Sequence, residues 1–239
     1  MRYLQAFALS VNMLTIFPFF KVHDFYKGIN GLSALFYPLV GFLLGTLLWV
    51  THTLLQGTVP PTHLGVIIFS LWVLFTGALH IDGFSDTVDG LFVPAKKSLE
   101  VMKDSHVGGM GMTFTFVFLL LKLSSLLALE NYALLPVILM FSRLNAVMAI
   151  YTFPYVSSGV GALLKEELSL KMLLVSLLFS LSIAFLFSFT AAFLVVLFVL
   201  LLVGKFFTAR VGGLSGDMYG FLIEFTELIL LNFALVSFS

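Results

Sequence analysis

Asp82, Asp86 and Asp89 stand in the stretch HIDGFSDTVDG, residues 80–90, directly behind the apolar run LGVIIFSLWVLFTGAL. At about 100° per residue, the spacing i, i+4, i+7 puts all three on one helical face within an arc of roughly 60°. Like charges at i, i+4 oppose a helix by a few tenths of a kcal/mol, so something must compensate. A divalent cation does this directly. Hard carboxylate oxygens select Mg²⁺, Mn²⁺ or Ca²⁺ over Zn²⁺, and Mg²⁺ commonly takes one or two carboxylates plus substrate phosphates. Asp82 and Asp89 would lie about 10 Å apart along the helix, so three ligands to one ion would need a bend or a bridging water. The plainer alternative is a solvated polar helix end. His80 falls on the opposite side and is read as a hydrogen bonder rather than a metal ligand.

Two glycine-rich stretches repeat one design. In MKDSHVGGMG, residues 102–111, Asp104 or Ser105 is placed to cap a following helix. Gly108 and its neighbours would let a phosphate approach the free N–H groups of that helix start, with Lys103 adjacent. In VGGLSGDMYG, residues 211–220, Gly213 precedes Ser215 and Asp217 at a second helix start. Glu224 follows seven residues later on the same face, about a turn or two inside the membrane by the map below, with Glu227 a little round from it. Lys122 and Arg143 are the basic residues available to pair with Glu224, either structurally or around a substrate. A carboxylate stripe, helix N-termini and nearby cations together suit metal-assisted phosphoryl transfer. No P-loop, histidine-nucleophile signature or Ser-His-Asp order is present, so direct transfer to an acceptor hydroxyl is the simplest chemistry.

The elements that must position these groups are membrane helices. The mean hydropathy is +1.12, 28 of 239 residues are Phe, and only 10% are charged. Long uncharged runs recur near the ~20 residues that cross a ~30 Å hydrocarbon core. Their continuity, without alternation, selects helices over a barrel. The reading is all-α: a polytopic bundle of about seven spans, at 34–56, 64–82, 110–130, 133–153, 171–187, 189–206 and 218–237, in one domain over residues 1–239. The turn between the fifth and sixth falls at SFT, 188–190. Residues 3–20 are a further apolar segment, surface-lying or re-entrant, read as retained because it lacks a small-residue cleavage site.

Basic residues orient this map. With the N-terminus cytoplasmic, Arg2, Lys21, Lys27, Lys96, Lys97, Lys103, Lys165, Lys171, Lys205 and Arg210 all lie on or at the cytoplasmic side. External loops then hold no Lys or Arg, and Asp82, Asp86, Asp89, Asp104 and Asp217 gather on the cytoplasmic face. Zero net charge implies no bulk attraction to nucleic acid, and the absence of cysteine excludes disulfides and thiolate chemistry.

HIDGFSDTVDGL, MKDSHVGGMG and GGLSGDMYGFLIEFTE, in that order, resemble the cobalamin synthase family, the adenosylcobinamide-GDP ribazoletransferases. FALSVNMLTIFPFF resembles that family's opening, and SRLNAVMAIYTFPY its Arg-bearing middle span. The resemblance covers nearly the whole chain. It implies attack by a hydroxyl of α-ribazole, or of its 5′-phosphate, on the phosphoryl group joined to the corrinoid of adenosylcobinamide-GDP, with release of GMP. It also implies a Mg²⁺ requirement and a prokaryotic cytoplasmic membrane. Asp82, Asp86 and Asp89 match the acids of the first motif, Asp104 that of the second and Asp217 that of the third. His106 and Ile16 stand where relatives are expected to carry Arg. Phosphate binding then falls to Lys103, Lys205 or Arg210. Two rivals differ in their products. A CDP-alcohol phosphatidyltransferase-like enzyme would release CMP, but the AR and the following Asp pair of that pattern are missing. A transporter would release no nucleotide, and its charges would lie at the midplane.

Overall fold

The computed structural model describes residues 2–17, 26–104, 106 and 108–237. All its regular elements are helices: α1 (Arg2–Leu14), α2 (Ile29–Ala34), α3 (Tyr37–Leu55), α4 (Pro61–Phe75), α5 (Leu79–Leu91), α6 (Ala95–Val101), α7 (Gly109–Leu127), α8 (Leu135–Thr152), α9 (Val160–Glu167), α10 (Leu170–Leu186), α11 (Ala192–Val211) and α12 (Gly216–Ser237). Five helices are long and apolar enough to cross a membrane, or seven spans if each of two bent pairs counts as one. Outward-facing side chains such as Phe116, Leu178, Phe185, Leu194 and Phe198 are large, apolar and exposed, as a lipid-facing surface requires.

α8 is the central post, with Leu135–Ile150 buried throughout. α3 lies closest to it because Gly41 and Gly45, one turn apart, remove the side chains at the contact. A Cβ at Gly45 would stand 2.6 Å from Pro136 Cα. Small residues in register allow close backbone approach, which drives helix association in lipid. α10, α11 and α12 also pack on α8, and Asn145 Nδ2 donates to Thr226 Oγ1 at 2.8 Å between α8 and α12.

The span expected at 64–82 is broken. α4 ends at Phe75 and α5 leaves at 81°. Gly77 (φ 61°) and Ala78 (φ 55°) sit in the left-handed region, which a right-handed helix cannot continue through. α5 carries three carboxylates and could not follow α4 through hydrocarbon. The break lets it turn between α7 and α12 instead. α9 and α10 meet at 92° in a second break. The turn expected at 188–190 falls in the gap between α10 and α11, with Ser188 at φ 54°.

Short helices α2, α6 and α9 pack around the long ones. Glu167 on α9 holds the start of α2, its Oε2 accepting from Asn30 N (2.9 Å), Asn30 Nδ2 (3.2 Å) and Gly31 N (3.2 Å). The segment expected at 3–20 is helical only to Leu14, and residues 18–20 lie outside the described residues. Ile16 N donates to Phe75 O at 2.9 Å, tying the end of α1 to the break after α4.

Candidate functional site

α5 is continuous over all three aspartates, and it brings the first and third motifs together. Gly83 lies against the backbone of Asp217, where a Cβ would stand 2.8 Å from the Asp217 carbonyl oxygen. Gly220 faces the backbone of His80 in the same way, at 3.1 Å. Phe84 stacks on Phe221 at 5.0 Å between ring centroids and tilts against Phe118 at 4.2 Å, wedging α5 between α12 and α7. Asp82 is exposed, Asp86 half-buried and Asp89 buried.

Asp82 and Asp217 line one cavity of about 270 Å³, walled by α1, α3, α5, α8, α9 and α12. Asp86 is partly withdrawn from solvent and feels the charges of Asp82, Asp217 and Asp89. Among the described residues no ion pair reaches Asp82, Asp86 or Asp217. Lys103 is exposed, and its charge and that of Asp82 both reach Asp217. Ser215 opens α12, its Oγ accepting from Met218 N (3.4 Å) and donating to Asp217 Oδ2 (3.5 Å).

Asp82 and Asp217 on one cavity, with Asp86 beside them and no paired cation among the described residues, fit a divalent cation in charge and chemistry. No group of three or more acidic or His side chains among the described residues forms a ready-made cage. Mg²⁺ does not require one, because it usually keeps several waters and binds through one or two carboxylates plus substrate phosphate. Asp82 on the cavity and Asp86 one turn further along α5 would be the residues to hold such an ion.

Asp89 has another partner. Its Oδ2 accepts from Gly108 N at 2.8 Å and its Oδ1 from Gly111 N at 2.7 Å, so it caps α7 from a neighbouring helix. The expectation that Asp104 caps that helix is corrected. Gly108 is the N-cap residue without a side-chain bond of its own. Asp104 turns instead to His106, accepting from its N–H at 3.0 Å and lying 2.7 Å from its Nδ1. The His106 contacts hold the Asp104 carboxyl below its ordinary value. Ser105 lies outside the described residues. At the phosphate site expected around Gly108, Asp89 takes two of the N–H groups, those of Gly108 and Gly111. Asp89→Ala is expected to cost about 1–3 kcal/mol by leaving the buried Gly111 N–H and the half-buried Gly108 N–H unpaired. A fall in thermal unfolding temperature in detergent, absent in Asp104→Ala, would show it.

Of the remaining expected phosphate binders, Arg210, Gly213, Arg143 and Glu224 have partners within the fold, and Lys205 is exposed. Arg210 Nη2 donates to the carbonyls of Leu91 (2.9 Å) and Val93 (2.6 Å), closing the C-terminus of α5. Gly213 packs on Pro154, and Leu214 N donates to Pro154 O at 2.9 Å. Lys205 lies on α11 among Phe198, Leu201, Leu202 and Phe206. Arg143 and Glu224 are buried in an ion network. Lys122 Nζ donates to Glu224 Oε2 (2.6 Å) and Glu227 Oε2 (2.5 Å), and Arg143 pairs with Glu227. Lys122 also stands 4.3 Å from the Trp72 ring centroid. The pairing expected for Glu224 thus goes to Lys122, and Arg143 takes Glu227.

Two cavity residues carried no such assignment in the sequence reading, Tyr219 and, in this role, His80. The available signal was adjacency: each stands two positions from an aspartate of the site. Tyr155, which stacks on Tyr219 at 6.0 Å between centroids, had none, because the contact joins segments 64 residues apart in sequence (219 − 155).

Comparison with known proteins bears on these motifs. The family model described as Cobalamin-5-phosphate synthase matches residues 6–235. The chain is similar to an adenosylcobinamide-GDP ribazoletransferase of Thermosynechococcus vestitus, 37% identical over 211 residues, covering 83% of this chain and 84% of that protein. It is similar to one of Desulfitobacterium hafniense at 36% over 215 residues, 83% and 84% covered. A third, of Desulforamulus reducens, is 34% identical over 233 residues, 92% and 91% covered. No solved structure matches the chain. With its match running almost from end to end, this multi-helix membrane protein belongs to the cobalamin-5-phosphate synthase family of transferases.

Proposed function

We propose that the chain transfers the corrinoid-linked phosphoryl group of adenosylcobinamide-GDP to a hydroxyl of α-ribazole, or of α-ribazole 5′-phosphate. The observation that carries this reading is the convergence of Asp82 and Asp217, from motifs 135 positions apart in sequence (217 − 82), on one cavity. The names of the relatives supply the substrate class. The acceptor hydroxyl oxygen forms a bond to phosphorus as the anhydride bond to GMP breaks, and the hydroxyl proton is released. Asp82 and Asp86 hold Mg²⁺, with Mn²⁺ as a substitute. The bound ion supplies charge neutralisation to the phosphate oxygens. Asp217, half-buried on the cavity, takes the hydroxyl proton. Glu224 is not available for that step, since Lys122 occupies it in a buried pair. Lys103 offers its charge beside Asp217 to the departing phosphate.

The site faces the cytoplasm of a prokaryotic cell in this proposal. The one-sided distribution of Lys and Arg supports that orientation. Purified protein in detergent, given both substrates, is expected to release GMP with Mg²⁺ and to lose that activity in EDTA. GMP release undiminished by EDTA would remove the metal from the reading, and CMP release from CDP-linked lipid instead would replace it.

A further inference from the structure

We infer that the cavity beside Asp82 and Asp217 is the pocket for the acceptor nucleoside, with His80 Nε2 and Tyr219 Oη hydrogen-bonding its ribose. This rests on the transferase reading above. His80 and Tyr219 both line the cavity and are more than nine-tenths buried, at 4% and 7% exposed. His80 Nε2 and Tyr219 Oη have no hydrogen-bond partner among the described residues. Buried polar atoms are almost always partnered, so two orphans on one cavity point to a ligand that completes them. They form one unit, since Gly220, next to Tyr219, lies against the backbone of His80.

The rest of the lining selects the ligand. Leu14, Ile150, Leu164 and Ile223 give buried apolar walls, with Leu79, Val160 and the Asp82 carboxylate exposed at the rim and Asp217 half-buried. About 270 Å³ lies near the lower end of pockets that enclose a small molecule, on the order of 300–1000 Å³. A corrinoid macrocycle is far too large for it. Guanine would set its donor and acceptor edge against hydrocarbon, leaving polar groups unpaired. The benzimidazole base of α-ribazole has no exocyclic donor or carbonyl and meets apolar walls without that penalty. Its ribose hydroxyls both donate and accept, so they can serve a neutral imidazole nitrogen and a phenol in either sense. The pocket then delivers a hydroxyl toward Asp217.

The test is equilibrium binding of α-ribazole to the full-length protein in detergent, with steady-state kinetics for each substrate. Tyr219→Phe removes one oxygen that has no hydrogen-bond partner among the described residues, so the variant keeps the fold. Its Kd and KM for α-ribazole are expected to rise about tenfold, with the KM for adenosylcobinamide-GDP unchanged. His80→Gln is expected to bind α-ribazole more tightly than His80→Leu. Asp86→Asn is expected to bind it like the wild type while turning over poorly. Unaltered α-ribazole binding by Tyr219→Phe, or a rise confined to the KM of the GDP substrate, would overturn the pocket. So would a wild-type protein that binds no α-ribazole. A wild type that binds α-ribazole through Tyr219 but releases no GMP would sink the transferase proposal and leave the pocket standing.

Discussion

Asp86→Asn is expected to slow GMP release about a thousandfold while the protein folds as well as before or better. The amide keeps the shape of the carboxylate and removes its charge. Metal stabilisation of a phosphoryl transition state supplies several kcal/mol, and each 1.36 kcal/mol is about a factor of ten in rate. Among the described residues no hydrogen bond or ion pair holds the Asp86 side chain, so the substitution breaks no contact. It relieves repulsion from Asp82, Asp217 and Asp89. Single-turnover GMP release and thermal unfolding in the same detergent separate the two effects. A variant with wild-type turnover would remove Asp86 from the reaction, and one that unfolds early would make its role structural.

The buried ion network has the opposite signature. Glu227→Leu is expected to cost about 3–5 kcal/mol of stability. Glu227 is 0% exposed. Its Oε1 accepts from Ser142 Oγ at 3.2 Å and from Arg143, and its Oε2 from Lys122. Two cations and two carboxylates balance there, and deleting Glu227 leaves Arg143 charged and unpaired inside the bundle. Glu224→Gln should cost less, because Lys122 keeps Glu227. The double variant Arg143→Met, Glu227→Leu should recover most of the loss, since the neutral Lys122–Glu224 pair survives and apolar groups replace the rest. Thermal unfolding of the four proteins reads this directly. A double variant no more stable than Glu227→Leu alone would mean that the network does more than balance charge.

The spans were legible because hydrocarbon imposes a length and forbids charge, and both are visible in a linear string. The first expected span at 34–56 and the last at 218–237 match α3 and α12 to within a few residues. The break at 76–78 was hidden, because Thr-Gly-Ala within an apolar run does not announce a left-handed turn. The short helices α2, α6 and α9 were invisible, being positioned by contacts such as Glu167 with Asn30 rather than by periodicity. The acidic stripe was correctly placed on one helix, yet its members diverged by depth. What compensates Asp89 is a helix start about twenty residues downstream, and spacing within a motif holds no information about such a partner. Arg210 met a partner of the same kind, because its Nη2 donates to three backbone carbonyls near the end of α5.

The position of α5 also dictates an order of assembly during synthesis. This helix packs most extensively on α12, which leaves the ribosome after α1 to α11. Until residues 216–237 are inserted, Gly83, Phe84 and His80 lack their cover, and a segment bearing three carboxylates has no place to dock. The apolar helices can enter the bilayer one after another, while the reaction centre closes only once α12 has been made. A nascent chain stalled before Gly216 would therefore be a membrane-embedded protein without a centre, presenting α5 to the quality-control proteases.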